Sequence, residues 1–184
     1  MEKENIEKKN MEKVLFCRIA SMKFYQDIKD DIPQGGGSSV EEGNPPHERF
    51  NFKDRNGTIK GFVQSGSKSR GMNLSRIDPT VSKDVESIDG VLVIFVAKGC
   101  IVGSYKDATV YRTIQDEEHY DKGEFRAYNI EVESKQAHLL SEESRTYKIP
   151  RGEGCMGQSN VFYIYDDQGN LRQDEWIKQA INYV

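Results

Sequence analysis

Residues Val91 to Ala97 read Val-Leu-Val-Ile-Phe-Val-Ala, the longest apolar stretch in the chain. Asp89-Gly90 precedes it and Lys98-Gly99 follows, so turn-forming residues fence it on both sides. A run this short cannot span a bilayer, which takes about 20 residues as a helix. An unbroken rather than alternating run implies a strand buried on both faces, with structure above and below it. The chain must therefore build layers around this segment.

The neighbouring sequence supplies further strands. Lys98-Gly99 is expected to turn the chain into Cys100–Tyr105, and Lys106-Asp107 to turn it again into Ala108–Thr113, giving a three-strand meander. Strands are also expected at Lys13–Ile19, Thr58–Gln64 and Phe125–Val132, with weaker candidates at Ala137–Leu140 and Arg145–Ile149. Ser21 preceding Met22–Ile28 predicts a short capped helix. The terminal segment predicts another, with Asp174 as cap and Ile177, Ala180, Ile181 and Val184 on one face. Many short strands with few helices indicate an α+β domain of barrel type, because closing a sheet removes its exposed edges.

At 184 residues the chain fits one domain. Residues 1–12 are charged and lack the apolar core of a signal peptide, so they read as a tail that is disordered or a frayed helix. Residues 13–184 read as a single domain. Cys17, Cys100 and Cys155 are scattered and odd in number, which points to reduced thiols and neither a disulfide frame nor a zinc site. A cytoplasmic location without membrane contact is expected. The net charge of −4 argues against indiscriminate coating of nucleic acid. Between Lys53 and Arg76, however, six basic residues face one acid, Asp54. That segment can serve phosphates, or be a solvated loop that happens to be basic.

Catalytic patterns are weak. His47, His119 and His138 lie far apart and lack metal-ligand spacing. Asp121 with Glu133-Ser134-Lys135 loosely imitates the carboxylates and lysine of a metal-dependent nuclease, a pattern common by chance in a chain with 30% charged residues. No enzymatic activity and no cofactor are expected. Binding features are more numerous. Gly35-Gly36-Gly37-Ser38-Ser39 offers unshielded N–H groups to an oxyanion, or is a flexible connection. Arg151-Gly152-Glu153-Gly154 leads to Gln158-Ser159-Asn160, whose amides suit the hydrogen-bonding edge of a base; Ser159 as a helix cap is the competing reading. Phe24, Tyr25, Tyr105, Tyr111, Phe162 and Tyr163 are candidates for base stacking or for core.

Several strings, in order, resemble one bacterial domain family. They are Val14-Leu15-Phe16-Cys17-Arg18-Ile19 with Met22-Lys23-Phe24-Tyr25, Gly35-Gly36-Gly37-Ser38, His47-Glu48 with Asn51-Phe52, and Gly61-Phe62-Val63-Gln64. Asp89–Ile94, Ile101–Arg112 and Gly157–Tyr163 complete the set. The chain resembles the domain at the amino terminus of many HNH-type restriction endonucleases, and through it the PUA-like superfamily of EVE, YTH and SRA modified-base readers. The resemblance implies a PUA-like β-barrel of about five to seven strands, with flanking short helices and a C-terminal helix. It also implies a pocket for a base flipped from its stack.

On that reading Lys23, Arg70, Arg112 and Arg151 contact phosphates. Ser104, Tyr105, Gln158, Ser159 and Asn160 line the pocket beside Ser21 and Met22, and Gly35, Gly36, Gly37 and Ser38 form its rim. The expected partner is nucleic acid, DNA rather than RNA, in a restriction or defence setting. The family pattern carries Trp before Met22 and before Tyr105, where this chain has Ser21 and Ser104. No nuclease domain follows in this sequence, so cleavage is expected from a separate subunit. The alternative is a degenerate barrel that acts as partner or regulator of a nuclease. An open site around Tyr105 and Gln158–Asn160 favours the reader, and a collapsed one the partner.

Overall fold

The computed structural model describes residues 13–35, 47–65, 71–117 and 126–184. The fold is mixed α+β, with seven strands in one sheet, a C-terminal helix and short 3-10 turns. The strands are β1 (Val14–Arg18), β2 (Thr58–Gly61), β3 (Ser87–Ala97), β4 (Cys100–Glu117), β5 (Arg126–Glu133), β6 (Ala137–Leu139) and β7 (Val161–Tyr163). Helix α1 is Glu175–Tyr183. The sheet order is β2-β5-β4-β3-β1-β7, with β6 beside β4. Among the described residues only β1 and β3 run parallel. Among the described residues β2 and β7 do not pair with each other, so the hydrogen-bonded path of the sheet is open.

The apolar run sits where its composition demands, in β3 between β1 and β4. Its side chains alternate between two cores. Val91, Val93, Phe95 and Ala97 join Leu15, Cys17, Tyr25, Phe52 and Tyr105 on one face. Ile94 and Val96 join Val14, Phe16, Phe162, Ile177 and Ala180 on the other, beneath α1. The helix buries the face expected of it, although the Asp174 side chain makes no capping hydrogen bond.

Lys98 and Gly99 have φ of 50° and 79°, the two left-handed residues of a tight hairpin turn. The expected second turn does not form. β4 runs on through Lys106 and Asp107, and Asp107 at φ 58° marks a bulge opposite the register shifts around Val91. The meander is therefore a hairpin with one long, bent strand, since a single left-handed residue bends a strand without reversing it.

The helix expected at Met22–Ile28 is also absent. The Asp31 carboxylate accepts the N–H groups of Lys23, Phe24 and Tyr25 at 2.6, 2.7 and 2.8 Å. Those donors are drawn into a loop in which Tyr25 and Asp27 take positive φ. β2 stops at Gly61, short of Gln64, because side-chain amides replace a strand partner beyond it. Asn51 pairs with the backbone of Phe62, and Asn129 with that of Val63. Arg145–Ile149 forms only an isolated bridge at Lys148, against Cys100. The Gly157–Asn160 segment leads into β7, a strand the apolar pattern did not disclose.

Candidate functional site

The polar residues of greatest interest converge where β1 ends. Arg18 closes the strand, and its N–H donates to the Asn160 carbonyl at 2.7 Å. Its guanidinium donates to Asn160 Oδ1 at 3.0 Å and to Gln158 Oε1. Two residues on, Ala20 N–H donates to Glu48 Oε2 at 2.8 Å. Ser21 and Gln34 exchange backbone hydrogen bonds at 2.9 Å in both directions, which brings Gly35 alongside. Lys98, at the β3–β4 turn, donates to Gln34 Oε1 at 2.6 Å. One end of the sheet thus gathers a guanidinium, an ammonium, three side-chain amides, a hydroxyl and a carboxyl. The cause is topological: the parallel β1–β3 pair ends together at Arg18 and Val96, and the chain just before β7 meets it there.

Glu48 is the electrostatic anomaly. Burial pushes its carboxyl from the ordinary 4.5 up to about 7, against the opposing pull of the Ala20 N–H and the Arg18 charge. Burial, with a smaller contribution from Glu48, raises the Cys17 thiol. The Tyr25 hydroxyl is raised mainly by burial as well; it donates to the Ala20 carbonyl at 2.8 Å and accepts the Met22 N–H at 3.1 Å.

The expected site residues divide sharply. Gln158 and Asn160 hold Arg18, while Ser21 pairs with Gln34, next to Gly35, a few residues beyond the end of β1. Met22 is beside Ser21 in sequence but buried in the core. Ser159 is exposed, and the strand that follows it removes the helix-cap reading. Lys23 turns to Glu142 at 3.4 Å and lies over Phe24. Arg145 donates to the Met22 and Lys23 carbonyls at 2.7 and 2.6 Å.

Ser104 and Tyr105 are both fully buried and, as strand neighbours, face opposite ways. Tyr105 stands between Phe52 and Phe95, at ring distances of 5.4 and 4.7 Å, and donates to the Asn51 carbonyl. Ser104 is paired with Ile94 of the helix-side core, and its hydroxyl has no hydrogen-bond partner among the described residues. They cannot wall one pocket. Arg112 clasps the 82–85 loop, donating from Nε to the Val85 carbonyl at 2.7 Å. Arg151 is exposed in its turn. Gly36, Gly37, Ser38 and Arg70 lie outside the described residues.

Within the basic segment, Lys68 and Arg70 lie outside the described residues, and described members make intramolecular contacts. Lys53 pairs with Asp27 at 3.1 Å, Arg76 with Asp167 at 3.3 Å, and Lys60 covers the Tyr128 ring. Among the stacking candidates, Tyr25, Tyr105, Phe162 and Tyr163 are core, while Phe24 is exposed. Glu133 and Lys135 form an exposed ion pair at 2.6 Å, and Asp121 lies outside the described residues. Among the described residues no cluster of three metal-ligating side chains occurs, and no helix is long and apolar enough to cross a membrane.

Arg18, Gln34, Glu48 and Lys98 belong to this cluster without being among the expected site residues. Arg18 did carry a signal, as the lone charge in Val14–Ile19. Glu48 was visible only as one half of His47-Glu48. No family model, curated protein or solved structure matches the chain.

Proposed function

We propose that this chain is a nucleic-acid-binding module of PUA-like type, its sheet curling toward a barrel, that reads a flipped, modified base. On this reading it acts on DNA in a restriction or defence setting and leaves any cleavage to a partner. The observation that carries the reading is the Arg18 guanidinium held by the Gln158 and Asn160 amides at the end of β1. Guanidinium and amide groups are the side chains that match base edges, and a guanidinium fixed beforehand loses less freedom on binding. The reading surface is the β1 end, not the surroundings of Tyr105.

The test is fluorescence anisotropy with plain, methylated, hydroxymethylated and glucosylated oligonucleotides, in single and double strands. One modified DNA should bind most tightly, with affinity falling as salt rises. Replacing Gln158 and Asn160 together by Ala should weaken that complex by about tenfold. Absence of binding to every oligonucleotide at low salt would overturn the proposal. A second reading, a degenerate barrel that partners a nuclease, draws on the burial of Ser104 and Tyr105, which leaves no aromatic wall at the expected place. It gains if oligonucleotides fail to bind.

A further inference from the structure

We infer that Arg18, Gln158 and Asn160 form a donor-only surface that selects a base with two hydrogen-bond acceptors side by side. Guanine has such a pair at O6 and N7, and cytosine at O2 and N3, whereas adenine and thymine have none. The inference rests on the base-reading function proposed above and names the class of base it takes.

The three side chains are fixed against one another. The Arg18 guanidinium donates to Asn160 Oδ1 at 3.0 Å and to Gln158 Oε1, and the Arg18 backbone N–H donates to the Asn160 carbonyl at 2.7 Å. A guanidinium carries donors and no acceptor, so each amide must turn its oxygen toward Arg18 and its NH₂ group away. Neither NH₂ group donates to any described residue. Two of the five guanidinium N–H groups are used in these bonds, which leaves three more donors. Gln158 is exposed, and Arg18 and Asn160 are half-buried, so a ligand can reach them.

The chemistry of the ligand follows from that orientation. The side-chain oxygens of the cluster are spent on Arg18, and a ligand N–H seeking the same oxygens would also approach the guanidinium charge. What the cluster presents outward is a set of donors around one positive charge. A base with a single acceptor satisfies one donor and sets its own neighbouring N–H against the next. Two adjacent acceptors satisfy both, and the repulsion they avoid supplies discrimination as much as the second bond does. Phosphate oxygens suit these donors too, but a phosphate is common to every nucleotide and carries no sequence.

The experiment uses the full chain and DNA duplexes that carry one bulged nucleotide in an otherwise identical sequence. The bulged base is guanine, adenine, cytosine, 5-methylcytosine or thymine. Guanine or one of the cytosines should bind about tenfold more tightly than adenine and thymine. Putting carbon in place of the ring-nitrogen acceptor, as 7-deazaguanine or 3-deazacytosine, should remove that advantage. Replacing Gln158→Glu and Asn160→Asp together keeps an oxygen on Arg18 but turns a second oxygen outward, and should bring the ratio close to unity or invert it. The deaza probes need no variant, so they decide the matter even where the double substitution does not fold. Equal binding of all bases, a preference for adenine or thymine, or an advantage that survives in the deaza probes or in the double variant overturns the inference. Salt-dependent binding of every probe would still stand in those cases as nucleic-acid binding. Failure to bind any probe overturns the inference and the base-reading function together.

Discussion

The folded protein holds a proton on Glu48 more tightly than the unfolded chain does, because burial lifts its carboxyl from 4.5 to about 7. Below the lower value both states are protonated and Glu48 costs nothing. Between the two values the folded state binds more protons, so stability falls as pH rises, and above the upper value the full penalty is present. That penalty is at most about 3 kcal/mol, since the carboxyl keeps some contact with water. Glu48→Gln keeps the acceptor for Ala20 N–H and removes the charge. Its urea midpoint should exceed that of the wild type at about pH 8, with the difference closing toward about pH 4.5. Parallel midpoints across that range would show that the buried charge is not what destabilises the fold. Little of this was legible beforehand. Gln158 and Asn160 announce themselves as adjacent amides after a Gly-rich turn, but Glu48 matters through Ala20 and Arg18, which are near it only in the fold. Ser104-Tyr105 fails for the converse reason: strand alternation sends the two side chains into different cores, and a linear motif does not show which face is wet.

Strands were legible where backbone and side-chain signals agreed. The Lys98-Gly99 turn and the doubly buried β3 follow from residue type alone. Lys106-Asp107 has turn-forming residues too, yet β4 runs through it, because pairing with β3 and β5 on either side outweighs a local preference. The loop at Met22–Ile28 depends on Asp31, and the end of β2 on Asn51 and Asn129, all polar side chains that act as backbone substitutes from a distance. Two glycines separate local from tertiary constraint. Gly99 has φ +79° with open space around it, whereas Gly71 at φ +61° would put a Cβ 2.2 Å from the Arg112 carbonyl oxygen. That carbonyl accepts the Met72 N–H at 2.7 Å, so it cannot retreat without losing the bond. Gly99→Ala should cost about 1 kcal/mol, the strain of the left-handed residue. Gly71→Ala adds a backbone clash and should cost about 3 kcal/mol or more. Equal denaturation midpoints for the two variants would refute the clash.

The two cores lie on opposite faces of the same central strands, and this decides how the molecule unfolds. β1 sends Leu15 and Cys17 to one core and Val14 and Phe16 to the other, and β3 does the same with Val93 and Ile94. Neither core can lose its wall without exposing the other, so the described sheet and α1 should melt as one cooperative unit. The chain carries its own probe, because it has a single tryptophan. Trp176 packs against Phe16 and Phe162 at ring distances of 5.2 and 5.3 Å, so its fluorescence reports the helix-side core. Far-ultraviolet circular dichroism reports mainly the sheet. In a urea titration the two signals should superimpose, with one midpoint and one slope. Ile177→Ala removes a buried side chain of α1 and should lower stability by about 2–4 kcal/mol. It should shift both curves together, even though the change touches only the helix side. If tryptophan fluorescence changes before the dichroism does, α1 undocks from a sheet that persists without it, and the shared-strand argument is wrong. If the two signals stay superimposed in both proteins, the β1 end that gathers Arg18, Glu48, Gln158 and Asn160 is anchored by the stability of the whole fold.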